Sequence, residues 1–371
     1  MSRVRRSRSA PGDTMPRIAP TAVGLSLAPV LCAALPRWAQ PYFERSQVIQ
    51  NPAPPNSGFG EDVDVDGEWM VVAASRESAA YVYRKTGTTW TQFTRLTCPV
   101  ASCSRQTPDR GFGGSVTVDG TTLVVAIDGN GGAPSWLGRL YVYNFTGGAW
   151  VFEQELSPPA GYNLGDAIDL DGDYLLSMGA DTAAQHNMGW KTFVFTRSGS
   201  AWIQGELTVP GRSASAEDLF GLSVSISGDT ACVGAPGYSP SPGAVYMFRR
   251  TGGVWAVEGS PLVPVNAAGA GVGLTCSVSG DTVALGVERI VVSGQGNSGR
   301  TYIYQRTGST WALAQTLVPN TANSAFGASV ALAGNGLVVG ATGDYLHPPQ
   351  AAVFSRGSGP QVVRPREAPP A

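Results

Sequence analysis

The chain has 371 residues, of which 14% are charged, where soluble domains average about 25%. Its 48 Gly and 27 Pro suit a sheet-rich protein with many tight turns. The formal net charge is −2, and −7 once residues 1–39 are removed, a balance that argues against nucleic acid as a partner, and recurring alternation of apolar and polar residues with buried-type aromatics argues against disorder.

The N-terminus reads as an export signal. Arg3, Arg5, Arg6 and Arg8 precede an apolar stretch from Ile18 to Leu35, with small residues around Ala33 and Ala34. Pro20 and Pro29 interrupt that stretch and Arg37 follows it, so it makes a poor membrane anchor and the mature chain is expected to carry no membrane span. Removing residues 1–39 takes six Arg and Asp13 from the 25 basic and 27 acidic residues, leaving 19 against 26 and a net charge of −7. The expected organisation is a signal peptide over 1–39, a repeat domain over 40–361 and a Pro-rich tail over 362–371.

From residue 59 onward the chain repeats. A hydrophobic residue followed by Gly recurs at Phe59, Phe112, Leu164, Phe220, Val272 and Phe326, at intervals of 53, 52, 56, 52 and 54 residues. Seven positions after each of these glycines stands a turn glycine: Gly67, Gly120, Gly172, Gly228, Gly280 and Gly334. In five units an aromatic residue is followed seven positions later by tryptophan: Tyr83/Trp90, Tyr143/Trp150, Phe195/Trp202, Phe248/Trp255 and Tyr304/Trp311. The first half of each unit alternates up to a tight turn and continues as an apolar run, which predicts a hairpin; the second half predicts another. Four antiparallel strands make one propeller blade. The predicted fold is therefore all-β, a six-bladed β-propeller of four-stranded antiparallel blades, with small residues near the axis and large aromatics outward.

The sixth unit has no tryptophan after Phe354. Upstream of the first repeat, however, Phe43, Gln47 and Ile49 reproduce the spacing of Trp150, Gln154 and Leu156. The N-terminal strand is thus expected to complete the last blade, closing the ring and covering an open sheet edge.

Cys98 and Cys103, five apart in an inter-blade segment, read as a local disulfide or as two thiols, the former suiting an exported protein. Cys232 and Cys276 fall in apolar slots of strand patterns and read as small buried side chains.

These units resemble FG-GAP repeats, the modules of the integrin α-chain propeller and of many exported bacterial proteins. The resemblance is carried by Phe59-Gly60, Phe112-Gly113, Phe220-Gly221 and Phe326-Gly327, and by Val233-Gly234-Ala235-Pro236 as the full second signature; Leu164-Gly165 and Val272-Gly273 depart from it. Integrin propellers have seven blades, whereas six units are counted here. Kelch blades are the rival resemblance, but none of these units ends its second strand in a glycine pair. The resemblance implies binding or adhesion as function, an extracellular protein or glycan as partner and a secreted, periplasmic or surface location.

Integrin-type repeats often hold calcium in an extended acidic loop that here shrinks to a turn. Two trios remain, Asp62, Asp64 and Asp66, and Asp169, Asp171 and Asp173. Alternate strand residues share a face, so each trio either converges on an ion or comprises one turn aspartate with solvated or channel-lining neighbours; calcium needs six to eight oxygens, so no cofactor is expected.

Connection lengths vary on one side only. From the turn Gly to the third-strand aromatic the intervals are 16, 23, 23, 20, 24 and 20 residues, whereas the hairpin turns keep their length. The variable loops emerge on one face, which is the expected ligand face of a monomeric ring. Candidate ligand-binding residues there are Trp136, His186, Tyr238, Arg289, Tyr345 and His347. Trp136 and Tyr238, in Gly/Pro-rich loops, either stack on a sugar or partner or pack against their own loops. The chain's two histidines stand without metal-ligand spacing and no nucleophile elbow or phosphate loop occurs, so no enzyme is expected. The one carboxylate pair to test for hydrolysis is Asp64 with Asp169.

Overall fold

The computed structural model describes residues 3–4, 47–52, 56–100, 111–127, 138–180, 189–212, 218–237, 243–265, 267, 271–288, 298–319, 325–342 and 350–355. The fold is all-β, with a single 3₁₀ turn at Ser75–Glu77 among the described residues. After a two-residue strand β1 (Arg3–Val4), the strands group into six sheets. The first blade holds β2 (Phe59–Asp66), β3 (Trp69–Ala74), β4 (Ala79–Thr86) and β5 (Thr89–Thr97). The second holds β6 (Phe112–Asp119), β7 (Thr122–Ile127), β8 (Arg139–Thr146) and β9 (Ala149–Leu156). The third comprises β10 (Ile168–Asp171), β11 (Tyr174–Ala180), β12 (Trp190–Ser198) and β13 (Ala201–Leu207), and the fourth β14 (Val224–Ser227), β15 (Thr230–Ala235), β16 (Ala244–Thr251) and β17 (Val254–Val257). The fifth is β18 (Thr275–Ser279), β19 (Thr282–Val287), β20 (Arg300–Thr307) and β21 (Thr310–Leu317); the sixth is β22 (Phe326–Ala333), β23 (Gly336–Ala341) and β24 (Gln350–Ser355). From β2 to β22 each first strand packs against the first strand of the next blade, and β1 touches both β22 and β2, so the sheets stand in a ring as a β-propeller.

The repeated sequence features each have a physical origin. The first hairpin of every blade turns through two residues with glycine at the first central position and positive φ, from Gly67 at 55° to Gly334 at 53°, as a type II′ turn requires. The phenylalanine at the repeat start packs on the third-strand tyrosine of its own blade: Phe59 on Tyr81, Phe112 on Tyr141 and Phe220 on Tyr246, each at 5.5 Å between ring centroids. The interval of seven reflects cross-strand register, because the residue two after the aromatic pairs with the tryptophan. Lys85 thus faces Trp90, Phe145 faces Trp150, Arg197 faces Trp202, Arg250 faces Trp255 and Arg306 faces Trp311. In four blades this seats a cation 5.4–5.6 Å from the indole centroid.

The two signatures meet between blades. A Cβ on Gly273, which has φ +94°, would lie 2.4 Å from the Ala244 carbonyl oxygen and 2.8 Å from the Ala235 nitrogen of the preceding blade; one on Gly234 would lie 2.0 Å from the Gly273 carbonyl oxygen. Only glycine lets these backbones touch.

The seam between the sixth and first blades differs. Among the described residues the sixth sheet has three strands, and residues 47–50 belong to no sheet, so the expected fourth strand is not seen paired with β24; residues 41–46 lie outside the described residues. Its tail nevertheless holds the expected place against the first blade. Gln47 accepts from the Trp90 backbone N–H at 2.7 Å and donates to the Trp90 carbonyl at 2.7 Å, as Gln154 accepts from the Trp202 N–H at 3.3 Å, and Ile49 packs on the first-blade core. A further feature was not expected from sequence: β1, within the stretch read as a signal peptide, pairs in parallel with β2 through Arg3↔Asp62 and Val4↔Val63 and touches β22.

Candidate binding face

Antiparallel order places the start of every first strand, the second-to-third connections and the blade-to-blade connections on one face. The opposite face carries two-residue turns, such as 67–68, 87–88, 120–121 and 147–148. The predicted asymmetry of the disc is present, with connections such as 157–167 and 208–223 on the elaborated side. All six candidate ligand residues, Trp136, His186, Tyr238, Arg289, Tyr345 and His347, lie outside the described residues. Cys98 is disulfide-bonded; its expected partner, Cys103, also lies outside them.

Two described features build this face. At the junction of the third and fourth blades, Arg212 donates to Asp218 through Nε at 2.7 Å and through Nη2 at 2.8 Å, and to the Trp190 carbonyl at 3.1 Å. Asp218 is buried and Arg212 half-buried, and the guanidinium lies over the Phe220 ring at 4.1 Å. This clamp fixes the ends of the loop it spans. At the seam, where the first blade has the shortest second-to-third connection (75–78), a polar cleft of about 360 Å³ opens between Asn51, Asn56, Ser57, Gly60, Glu61 and Arg76, a size within the usual range for ligand sites. Glu61 accepts from the Ser75 hydroxyl and lies 3.6 Å from Arg76 Nε, while Asn51 donates to Ser57 at 3.3 Å. Apart from the signature glycine Gly60, these residues have no repeat partner to mark them in the sequence; the short first-blade connection was the available signal.

Five of the six aspartates sit on inner strands, where they bind the next blade, and Asp173 stands in the hairpin turn. Asp62 Oδ2 accepts from Val116 N at 2.9 Å; Asp64 Oδ2 accepts from Val118 N at 2.8 Å and from the Thr117 hydroxyl at 2.9 Å; Asp66 Oδ2 accepts from Gly120 N at 2.8 Å. The other oxygens of Asp62 and Asp64 accept from their own strand at Val63 N (3.2 Å) and Val65 N (2.9 Å). Asp169 and Asp171 act likewise, accepting from Ile226 N at 2.8 Å and Gly228 N at 2.6 Å, and the Asp173 carbonyl accepts from Arg197 N at 2.7 Å. Serine takes over in later blades, with Ser225 accepting from Val278 N at 3.2 Å and Ser277 from Leu332 N at 3.0 Å. Side chains three and one before the turn glycine thus accept the N–H groups of the next inner strand. No group of three or more acidic, His or Cys side chains suited to a metal occurs among the described residues. Carboxylates committed to backbone N–H groups on two strands do not form a cation cage, and the donor set does not fit calcium.

Comparison with known proteins now bears on this ring. The family model described as the FG-GAP repeat matches residues 212–248, which span the Arg212 clamp and the fourth blade's first three strands. The chain is a β-propeller that carries an FG-GAP repeat. Among solved structures, this FG-GAP propeller is similar to a prolyl endopeptidase at 16% identity and a TM-score of 0.46, over 75% of this chain and 38% of that one. It is also similar to U3-55K at 11% identity and a TM-score of 0.46, over 79% of this chain and 80% of that one. The FG-GAP chain therefore spans well under half the length of the prolyl endopeptidase it matches. No curated protein matches its sequence. No helix among its described residues is long and apolar enough to cross a membrane.

Proposed function

We propose that this FG-GAP propeller is an exported binding or adhesion module that takes a protein or carbohydrate ligand on the elaborated face of a monomeric ring. The observation carrying the reading is the asymmetry of the disc, with two-residue turns on one face and long connections on the other, since rigid scaffolds place recognition groups on their loops. Repeats of this kind are typical of extracellular or exported proteins, and the disulfide at Cys98 suits an oxidising compartment. The polar seam cleft supplies hydrogen-bonding groups of the sort a glycan or polar peptide uses. Glycan and matrix-protein arrays probed with the full chain, with and without calcium, test the reading. Expected is binding that needs no calcium and that Glu61→Ala or Arg76→Ala weakens; silence across both arrays argues against it.

A second reading, self-association into an envelope or matrix layer, draws on apolar residues exposed on the outer strands, among them Val151, Ile203, Val254 and Leu313. Light scattering separates the two, with ordered oligomers favouring assembly. A hydrolase at the channel mouth is the least supported, because Asp64 and Asp169 are buried and spent on neighbouring strands.

A further inference from the structure

Cys232 lies in β15 of the fourth blade and Cys276 in β18 of the fifth, and their sulfur atoms are 2.7 Å apart across the junction. Both are thiols in the structure, with 0% and 6% of their surface exposed. The separation exceeds a covalent S–S bond by only about 0.7 Å.

Repeat register shows how particular this pair is. Cys232 stands four after its turn glycine and Cys276 four before its own, and the same two positions share a core cluster at the other four junctions between the first and sixth blades. They hold Val71 and Val116, Val124 and Ile168, Leu176 and Val224, and Ala284 and Val330, each pair within one core cluster. At this junction alone both aliphatic residues are replaced by cysteine, and the pair lies among Val245, Met247, Val272 and Val278. The backbones on either side are pinned by the Gly234/Gly273 contact and by Ser225 accepting from Val278 N at 3.2 Å. These contacts hold the two strands in the register that brings the sulfurs together.

We infer that Cys232 and Cys276 are joined by a disulfide that staples the fourth blade to the fifth when the chain matures in an oxidising compartment. The co-reactant is a disulfide-bearing oxidant, a thiol–disulfide oxidoreductase or a small-molecule disulfide. One cysteine thiolate attacks the oxidant's S–S bond and releases one oxidant thiol. The second cysteine then attacks the mixed disulfide, forming the protein S–S bond and releasing the other. Two protein thiols lose two electrons and two protons, which reduce the oxidant's disulfide to two thiols. Burial closes the site in the finished ring, so the exchange belongs to folding, as the two blades come together and before the junction is sealed from solvent.

The test uses the full chain prepared in an oxidising compartment, denatured in acid and alkylated without reductant. Cys232 and Cys276 are expected to resist labelling and to appear as one linked peptide pair about 2 Da lighter than the two thiols. Complete labelling of both overturns the inference. A second arm removes the other bridge by Cys98→Ser with Cys103→Ser and adds Cys232→Val with Cys276→Val, the pair used between the first two blades. Without the valine changes, reductant is expected to lower Tm by roughly 5 °C; with them, the response disappears. A Tm indifferent to reductant before the valine changes also overturns the staple.

Discussion

The junction between the fourth and fifth blades and the seam between the sixth and first are built from the same repeat yet held by different means. At the former, Ser225 and Ser227 accept from Val278 N and Gly280 N at 3.2 Å each, and Gly273 lies against the backbone of the blade before it. At the seam the corresponding acceptor positions are Ala331 and Ala333, and no described atom lies within 4 Å of a Cβ placed on Gly60. There Val63 N and Val65 N turn to their own Asp62 and Asp64, and β1 lies between the inner strands. The comparison teaches that the ring is cohesive through side chain to backbone bonds repeated around the axis, and that cohesion stops where alanine replaces the acceptor.

The strongest way to break the comparison is at the two equivalent glycines. Gly273→Ala, which drives a Cβ into backbone, is expected to cost roughly 4 kcal/mol or more and to unfold the ring at moderate denaturant. Gly60→Ala, strained only by its φ of +88°, is expected to cost about 1–2 kcal/mol. Equal losses in urea titrations would erase the distinction. Next comes Asp64→Ala, which orphans the Val118 N–H and the buried Thr117 hydroxyl and is expected to cost about 2–3 kcal/mol. Asp64→Ser, the residue used at Ser225, should restore part of that.

Alkaline pH probes the aromatic layer between blades. Burial pushes Tyr83 and Tyr304 up to about 12 and raises Tyr143 as well. A folded pKa above the unfolded value of about 10 means that stability is complete below pH 10 and is lost as pH rises toward 12, on the order of 1 kcal/mol per tyrosine at pH 11. Thermal melts from pH 8 to 12 should show a plateau and then a fall, and Tyr304→Phe should lessen the fall. The smallest effect is expected from Ala333→Ser, which puts at the seam the hydroxyl that Ser279 offers Gly334 N at 3.0 Å; a gain of about 0.5–1 kcal/mol would show that the seam can be drawn shut onto Gly67 N, and no gain that β1 keeps the two strands apart.

The blades were legible because their markers are periodic and local: glycine turns, the phenylalanine and the tryptophan seven after an aromatic all act within one blade. The aspartates were harder to place. Alternation along β2 puts Asp62, Asp64 and Asp66 on one side of the strand but does not say what lies across from it, and the partner N–H groups of Val116, Val118 and Gly120 stand 54 residues away. Serines at the same register in later blades were the clue that these oxygens serve the backbone. The seam was legible in the missing tryptophan after Phe354 and in the spacing of Gln47 and Ile49, whereas its lost acceptors show only as Ala331 and Ala333 in columns otherwise filled by Asp, Ser and Thr. The cleft beside it has no such column, since Asn51, Asn56 and Arg76 lie outside the repeated positions.

From the first blade to the sixth the side-chain acceptor bonds point one way, each inner strand accepting from its successor until β22, where alanine ends the series. A polarised series of this kind has unlike ends and no built-in count. Duplicating an internal unit would add one more sheet with both of its neighbours satisfied, so the number six is a property of the gene's length and of how the two ends meet, not of any single junction.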